Sequence, residues 1–79
     1  LEDKDVKLFP NPSNEKFNIE STIGMSHITV TNLTGATVLD INLNNQSRIT
    51  ISALELSNGV YFIRISDGLH QTIKRFVKN

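Results

Sequence analysis

The chain contains no cysteine, which excludes disulfide reinforcement and thiolate metal sites. In 79 residues that absence is a constraint. A domain this small buries only about 60% of the surface its unfolded chain exposes, so packing alone must hold it together and modest stability is expected. Net charge is missing too: eight Lys and Arg face eight Asp and Glu, which leaves no footprint for nucleic acid or an anionic membrane surface. No apolar run approaches the roughly 20 residues of a membrane-spanning helix. Alanine occurs only twice, at Ala36 and Ala53, so little here favours helix. The opening Leu1-Glu-Asp-Lys-Asp5 is polar, and residues 1–5 read as a linker to an upstream part of a longer protein, with any targeting signal expected there.

What the chain has in quantity is valine, isoleucine and threonine, 21 residues together, the mixture that suits pleated, half-buried strands. Period-two alternation recurs. Phe17 and Ile19 oppose Lys16, Asn18 and Glu20; Ile28 and Val30 oppose His27, Thr29 and Thr31; Ile49 and Ile51 oppose Arg48, Thr50 and Ser52. Leu39, Ile41 and Leu43 share a face, with Val38 out of step, which predicts a bulge. Val60–Ile65 is apolar on both faces, as in a central strand. "SALELSN" is too short for a helix and reads as a crossover anchored by Leu54 and Leu56.

Turn chemistry punctuates these runs. The Pro10-Asn11-Pro12 bracket locks φ twice and forces a corner between Val6–Phe9 and the strand that restarts at Lys16. Asn32–Gly35 and Asn44–Ser47 read as turns, with Gly35 free to take positive φ. Asn58-Gly59 and Asp67-Gly68 are hairpin signals, and a two-residue turn at Asp67-Gly68 pairs Ile65 with His70 and Ile63 with Thr72. Seven short strands at this spacing, without helix between them, predict an all-β fold: a small antiparallel immunoglobulin-like sandwich.

The sequence supplies little for catalysis. His27 and His70 are the only histidines, both on alternating strands, where a surface role is favoured over a catalytic one. Two histidines without cysteine do not close a zinc site, and no cofactor is implied. Glu20, Asp40, Glu55 and Asp67 fall on turns or outward strand positions rather than in an acid–base pair. The sequons at Asn32 and Asn45 are what asparagine-rich turns generate by chance. The five aromatics, Phe9, Phe17, Tyr61, Phe62 and Phe76, mostly have natural places in a core.

In order and spacing, "LFPNPSNEKFNI", "ITVTNLTGATV", "ALELSNGVYFIRI" and the terminal "QTIKRFVK" resemble the type A C-terminal sorting domain of the type IX (Por) secretion system, over Val6 to Lys78. The departure is Ala36, where the family commonly carries lysine after the turn glycine. The resemblance implies a non-catalytic sorting domain at residues 6–79 that ends a cargo protein of Bacteroidetes. The cargo would cross the inner membrane on a signal peptide and be recognised by the outer-membrane translocon. A sortase-like peptidase would then remove the domain near its start, with the cargo delivered to the cell surface or beyond.

On that reading the recognised residues are those of the last strand, Lys74, Arg75, Phe76, Val77 and Lys78, with Gly59 and Tyr61. Pro10, Asn11, Pro12, Gly35, Asp67 and Gly68 shape the turns. The basic Lys74, Arg75 and Lys78 would steer the domain to an acidic receptor, although lysine on an edge strand also guards against aggregation. No nucleic-acid partner or membrane insertion is implied. A free terminal strand invites strand exchange, a route to a swapped homodimer. The competing reading is a carbohydrate-binding or adhesive immunoglobulin-like module of an extracellular enzyme, which needs an exposed aromatic platform or a concave apolar patch.

Overall fold

A computed structural model describes residues 3–10 and 14–79. After a 3-10 turn at Asp3–Asp5 come five strands: β1 Val6–Phe9, β2 Lys16–Asn32, β3 Thr37–Ser52, β4 Gly59–Ser66 and β5 Gln71–Lys78. All pair antiparallel in one sheet. The all-β class is as expected, but the strand count is five instead of seven, because two expected pairs of strands are each continuous. Likewise the strands make one hydrogen-bonded sheet where a two-sheet immunoglobulin-like sandwich was expected.

β2 organises this sheet. Along one side it pairs with β3 nearly end to end; on the other its first half takes β1 and its second half takes β4, which in turn pairs with β5. The sheet curls so that its two halves face each other, with the ring of Phe17 4.2 Å from that of Phe76. Phe17, Ile19, Met25, Ile28, Val30, Ile63, Ile65 and Phe76 are fully buried between them. Leu39, Ile41, Leu43 and Ile49 of β3 pack on this core while staying partly open to solvent.

The curl is made at an irregularity that the turn chemistry disguised. Between Glu20↔Arg48 and His27↔Asn42 the register slips on both strands, and Asn45 sits there at φ 58°. Asparagine tolerates positive φ, so the residue that predicts a turn at Asn44–Ser47 makes a bulge inside β3 instead. Gly24 lies opposite: a Cβ on it would fall 2.0 Å from Asn45 Oδ1 and 2.9 Å from its carbonyl oxygen. Only a bare Cα admits that approach. Gly24→Ala is therefore expected to destabilise the fold by about 1–3 kcal/mol, measured by urea unfolding; a neutral result would mean the bend does not depend on this contact. The second bulge is the one expected at Val38, the extra residue between Val30↔Leu39 and Thr31↔Thr37.

The last hairpin also differs from its expected register. Ser66 pairs with Gln71 and Ile65 with Thr72, so the loop is 67–70 and the pairing is displaced by two residues. An even displacement keeps every side chain on its expected face. The cause is local: Asp67 Oδ1 accepts from the backbone N–H groups of Leu69 at 2.8 Å and His70 at 2.7 Å, which stabilises a longer loop. In the 53–58 connection, Ala53 is buried and Leu56 packs on the core, while Leu54 is exposed rather than an anchor.

Candidate functional site

β5 and the start of β4 carry the residues singled out for recognition, and antiparallel alternation divides them. Tyr61 and Phe76 sit opposite each other on the inner face. Phe76 is fully buried, in contact with Phe17 and with its ring centre 6.5 Å from that of Tyr61. The Tyr61 hydroxyl donates to the Ser57 carbonyl at 2.6 Å. Lys78, also on the inner face, is only 9% exposed, and its Nζ donates to the Leu56 carbonyl at 3.3 Å. These two polar tips fasten the 53–58 connection. Gly59 opens β4 at φ 148°, opposite Lys78, a backbone region that disfavours a side chain.

Lys74 is half-buried beside Ile63, Arg75 is exposed opposite Phe62, and Val77 is half-buried opposite Val60. The three cations thus do not form one cluster. Arg75 points outward, while Lys74 and Lys78 lie on the other face, Lys78 already committed to a backbone carbonyl.

Of the turn residues, Asp67 and Gly68 lie in the loop that joins β4 to β5, whereas Gly35 lies between β2 and β3. Pro10 follows β1, and Asn11 and Pro12 fall outside the described residues. Gly35 sits at φ 89° with its N–H donating to the Asn32 carbonyl at 3.0 Å. Asn32 Oδ1 collects three donors there, from Thr34 N, Thr34 Oγ1 and Ala36 N. Gly68, at φ 101°, donates to Ser66 Oγ.

The hydrogen bonds from His70 N and Leu69 N hold the Asp67 carboxyl below its ordinary value of 3.8. A carboxylate with a depressed folded value stabilises the fold above its unfolded pKa, and that contribution is lost as pH falls through the folded value. Asp67→Asn keeps the acceptor oxygen but not the titration. The melting temperature of the parent is accordingly expected to fall more steeply than that of the variant on acidification below about pH 4. Parallel curves in circular dichroism would remove Asp67 from the acid response.

The other polar pairs are surface contacts. His27 Nε2 meets Asp40 Oδ1, and Arg48 meets Glu20 across β2 and β3. His70 Nδ1 lies 3.8 Å from Asp67 Oδ2. Among the described residues, no group of three or more metal-ligating side chains comes together, and no helix is long and apolar enough to cross a membrane.

Two features were not foreseen. A groove of about 840 Å³ runs between β3 and the 53–60 segment, lined by Leu39, Ile41, Ile49, Leu56 and Tyr61 among others. It exists because β3 has no partner on its far side among the described strands, a long-range fact with no local signal. The second is the outward grouping of Phe62, Arg64, Ile73 and Arg75, whose signal is the alternation of arginine with apolar residues along β4 and β5.

A family model described as "Secretion system C-terminal sorting domain" matches residues 7–79, which takes in β2 to β5 whole and all of β1 but Val6. Among curated proteins no match was found.

Proposed function

Because the chain belongs to the family of secretion system C-terminal sorting domains, we propose that it acts as a folded, non-catalytic address label read by the type IX machinery. The sorting signal marks its cargo for export out of the cell or to its surface. The observation that carries this reading is the match across residues 7–79.

The finer steps follow the same reading. The outer-membrane translocon of a Bacteroidetes cell recognises β5 and the β4 entry. Within that pair Arg75, Lys74 and Val77 offer surface, while Tyr61, Phe76, Lys78 and Gly59 hold it in shape. A sortase-like peptidase then cuts near the acidic residues 1–5. The Pro10–Pro12 corner sets the angle between the N-terminal strand, which leads back to the cargo, and the body of the domain.

The test is a reporter with a Sec signal at its start and this chain at its end, expressed in type IX-competent cells. Surface or medium localisation is expected, and periplasmic retention of the intact fusion would overturn the reading. A carbohydrate-binding or adhesive module requires a concave apolar patch, and the groove beside β3, lined by both apolar and polar side chains, is the feature that would favour it. Saturable sugar binding in calorimetry would move the conclusion there. Strand exchange through β5 would give a homodimer, visible as a concentration-dependent mass in light scattering.

A further inference from the structure

The chain is neutral overall, but its sheet is not. The strands carry Lys7, Lys16, Arg48, Arg64, Lys74, Arg75 and Lys78, against only Glu20 and Asp40. On the outer face of β2, β4 and β5, Arg64 stands opposite Ile73 and Phe62 opposite Arg75, with Thr29 and Thr31 alongside on β2. The four side chains form a checkerboard, with cations on one diagonal and apolar groups on the other. Phe62 is 39% and Ile73 54% exposed, so the apolar diagonal faces solvent on a strand pair whose other face is core.

We propose that this checkerboard is the surface on which an acidic, extended protein segment of the sorting machinery docks, an inference that rests on the sorting reading above. Diagonal neighbours on a sheet are about 7–8 Å apart. That is close to the roughly 6.6–6.8 Å between same-side residues of an extended chain. Two carboxylates at i and i+2 of such a segment come within reach of both exposed guanidinium groups, whose planar fork suits a carboxylate. Phe62 and Ile73 supply the apolar contact between them. Arginine and aromatic residues are what protein interfaces concentrate, whereas binding to anionic lipid calls on roughly 4–8 clustered Lys or Arg. Edge protection does not account for Arg64, because β4 is an inner strand, paired on both sides.

The experiment uses the same export fusion. Arg64→Glu with Arg75→Glu is expected to lower export at least tenfold, and Arg64→Lys with Arg75→Lys to recover part of it, since charge returns without the fork. Arg64→Gln with Arg75→Gln serves if the reversed pair fails to fold, as judged by circular dichroism of the purified chain; it too is expected to lose most export. A photo-reactive phenylalanine analogue at position 73 should capture a protein in export-competent cells, while the same analogue at position 7, on the other half of the sheet, should not. If the parent fusion is exported and the folded variants match it, this surface is refuted and the sorting reading stands. If the parent itself is retained, the sorting reading fails first. An adduct at position 73 with lipid or lipopolysaccharide would overturn the protein partner.

Discussion

Phe76→Ala is expected to lower the unfolding free energy by about 3–5 kcal/mol, the range for truncating a buried phenylalanine. The chain has little to spare. At about 0.05–0.15 kcal/mol per residue, a domain of this length holds roughly 4–12 kcal/mol, and a small core without cross-links belongs near the lower end. Phe76 is also the joint of the curl: it carries β5 and rests on Phe17 from the first half of β2, so its loss opens the contact between the two halves. Phe62→Ala, the same truncation at a half-exposed site on the neighbouring strand, should cost less than about 1 kcal/mol. Urea unfolding by circular dichroism compares them directly. A Phe76→Ala loss as small as that at Phe62 would mean the halves are not held by this ring. In the export fusion, Phe76→Ala should fail as well, because the label must be folded to be read.

Removing residues 74–79 should abolish export and leave the reporter in the periplasm. The truncation takes away the pairing partners of Tyr61, Phe62 and Ile63, the Phe76 ring and the Lys78 tie to Leu56. It exposes an apolar strand edge where β5 lay. Fold and recognition fall together in that experiment, so point changes separate them. Lys78→Gln loses a charge-assisted bond to a carbonyl, of the order of 1.5–3 kcal/mol, and acts through stability. Arg75→Gln changes an exposed position and should act on export with little change in the urea midpoint. Export of the truncated reporter at the parent's level would rule out β5 as part of the signal.

The pattern of one-dimensional signals marks where each kind of reading succeeds. Alternation predicts the inner face of β2 and the leucine–isoleucine stripe of β3, because a period of two is a property of the strand itself; β4, apolar on both faces, leaves the choice of inner face to the fold. The Val38 bulge follows from the same count. The Asn44–Ser47 turn does not, since the positive φ that asparagine tolerates serves a bulge as readily as a reversal, and only Gly24 on the opposing strand selects between them. The basic tail shows the same limit. Lys74, Arg75 and Lys78 are neighbours in the chain, but alternation sends Arg75 outward and curvature turns Lys78 against Leu56. The grouping that tertiary structure offers instead, Phe62 and Arg64 with Ile73 and Arg75, joins residues of two strands and is set by the hairpin register.

From its order of residues alone this polypeptide was committed to sheet, to a cysteine-free core of β-branched and aromatic side chains, and to membership of a sorting family recognised along nearly its whole length. Folding in three dimensions decided that two pairs of expected strands run through as single bent ones, that a glycine and an asparagine make the bend, and which cations face outward. The reason is range. Side-chain periodicity and turn preference are written within a few residues, whereas register, curl and the sharing of a face depend on partners on other strands, such as Phe62 with Arg75 and, for the bend, Gly24 with Asn45.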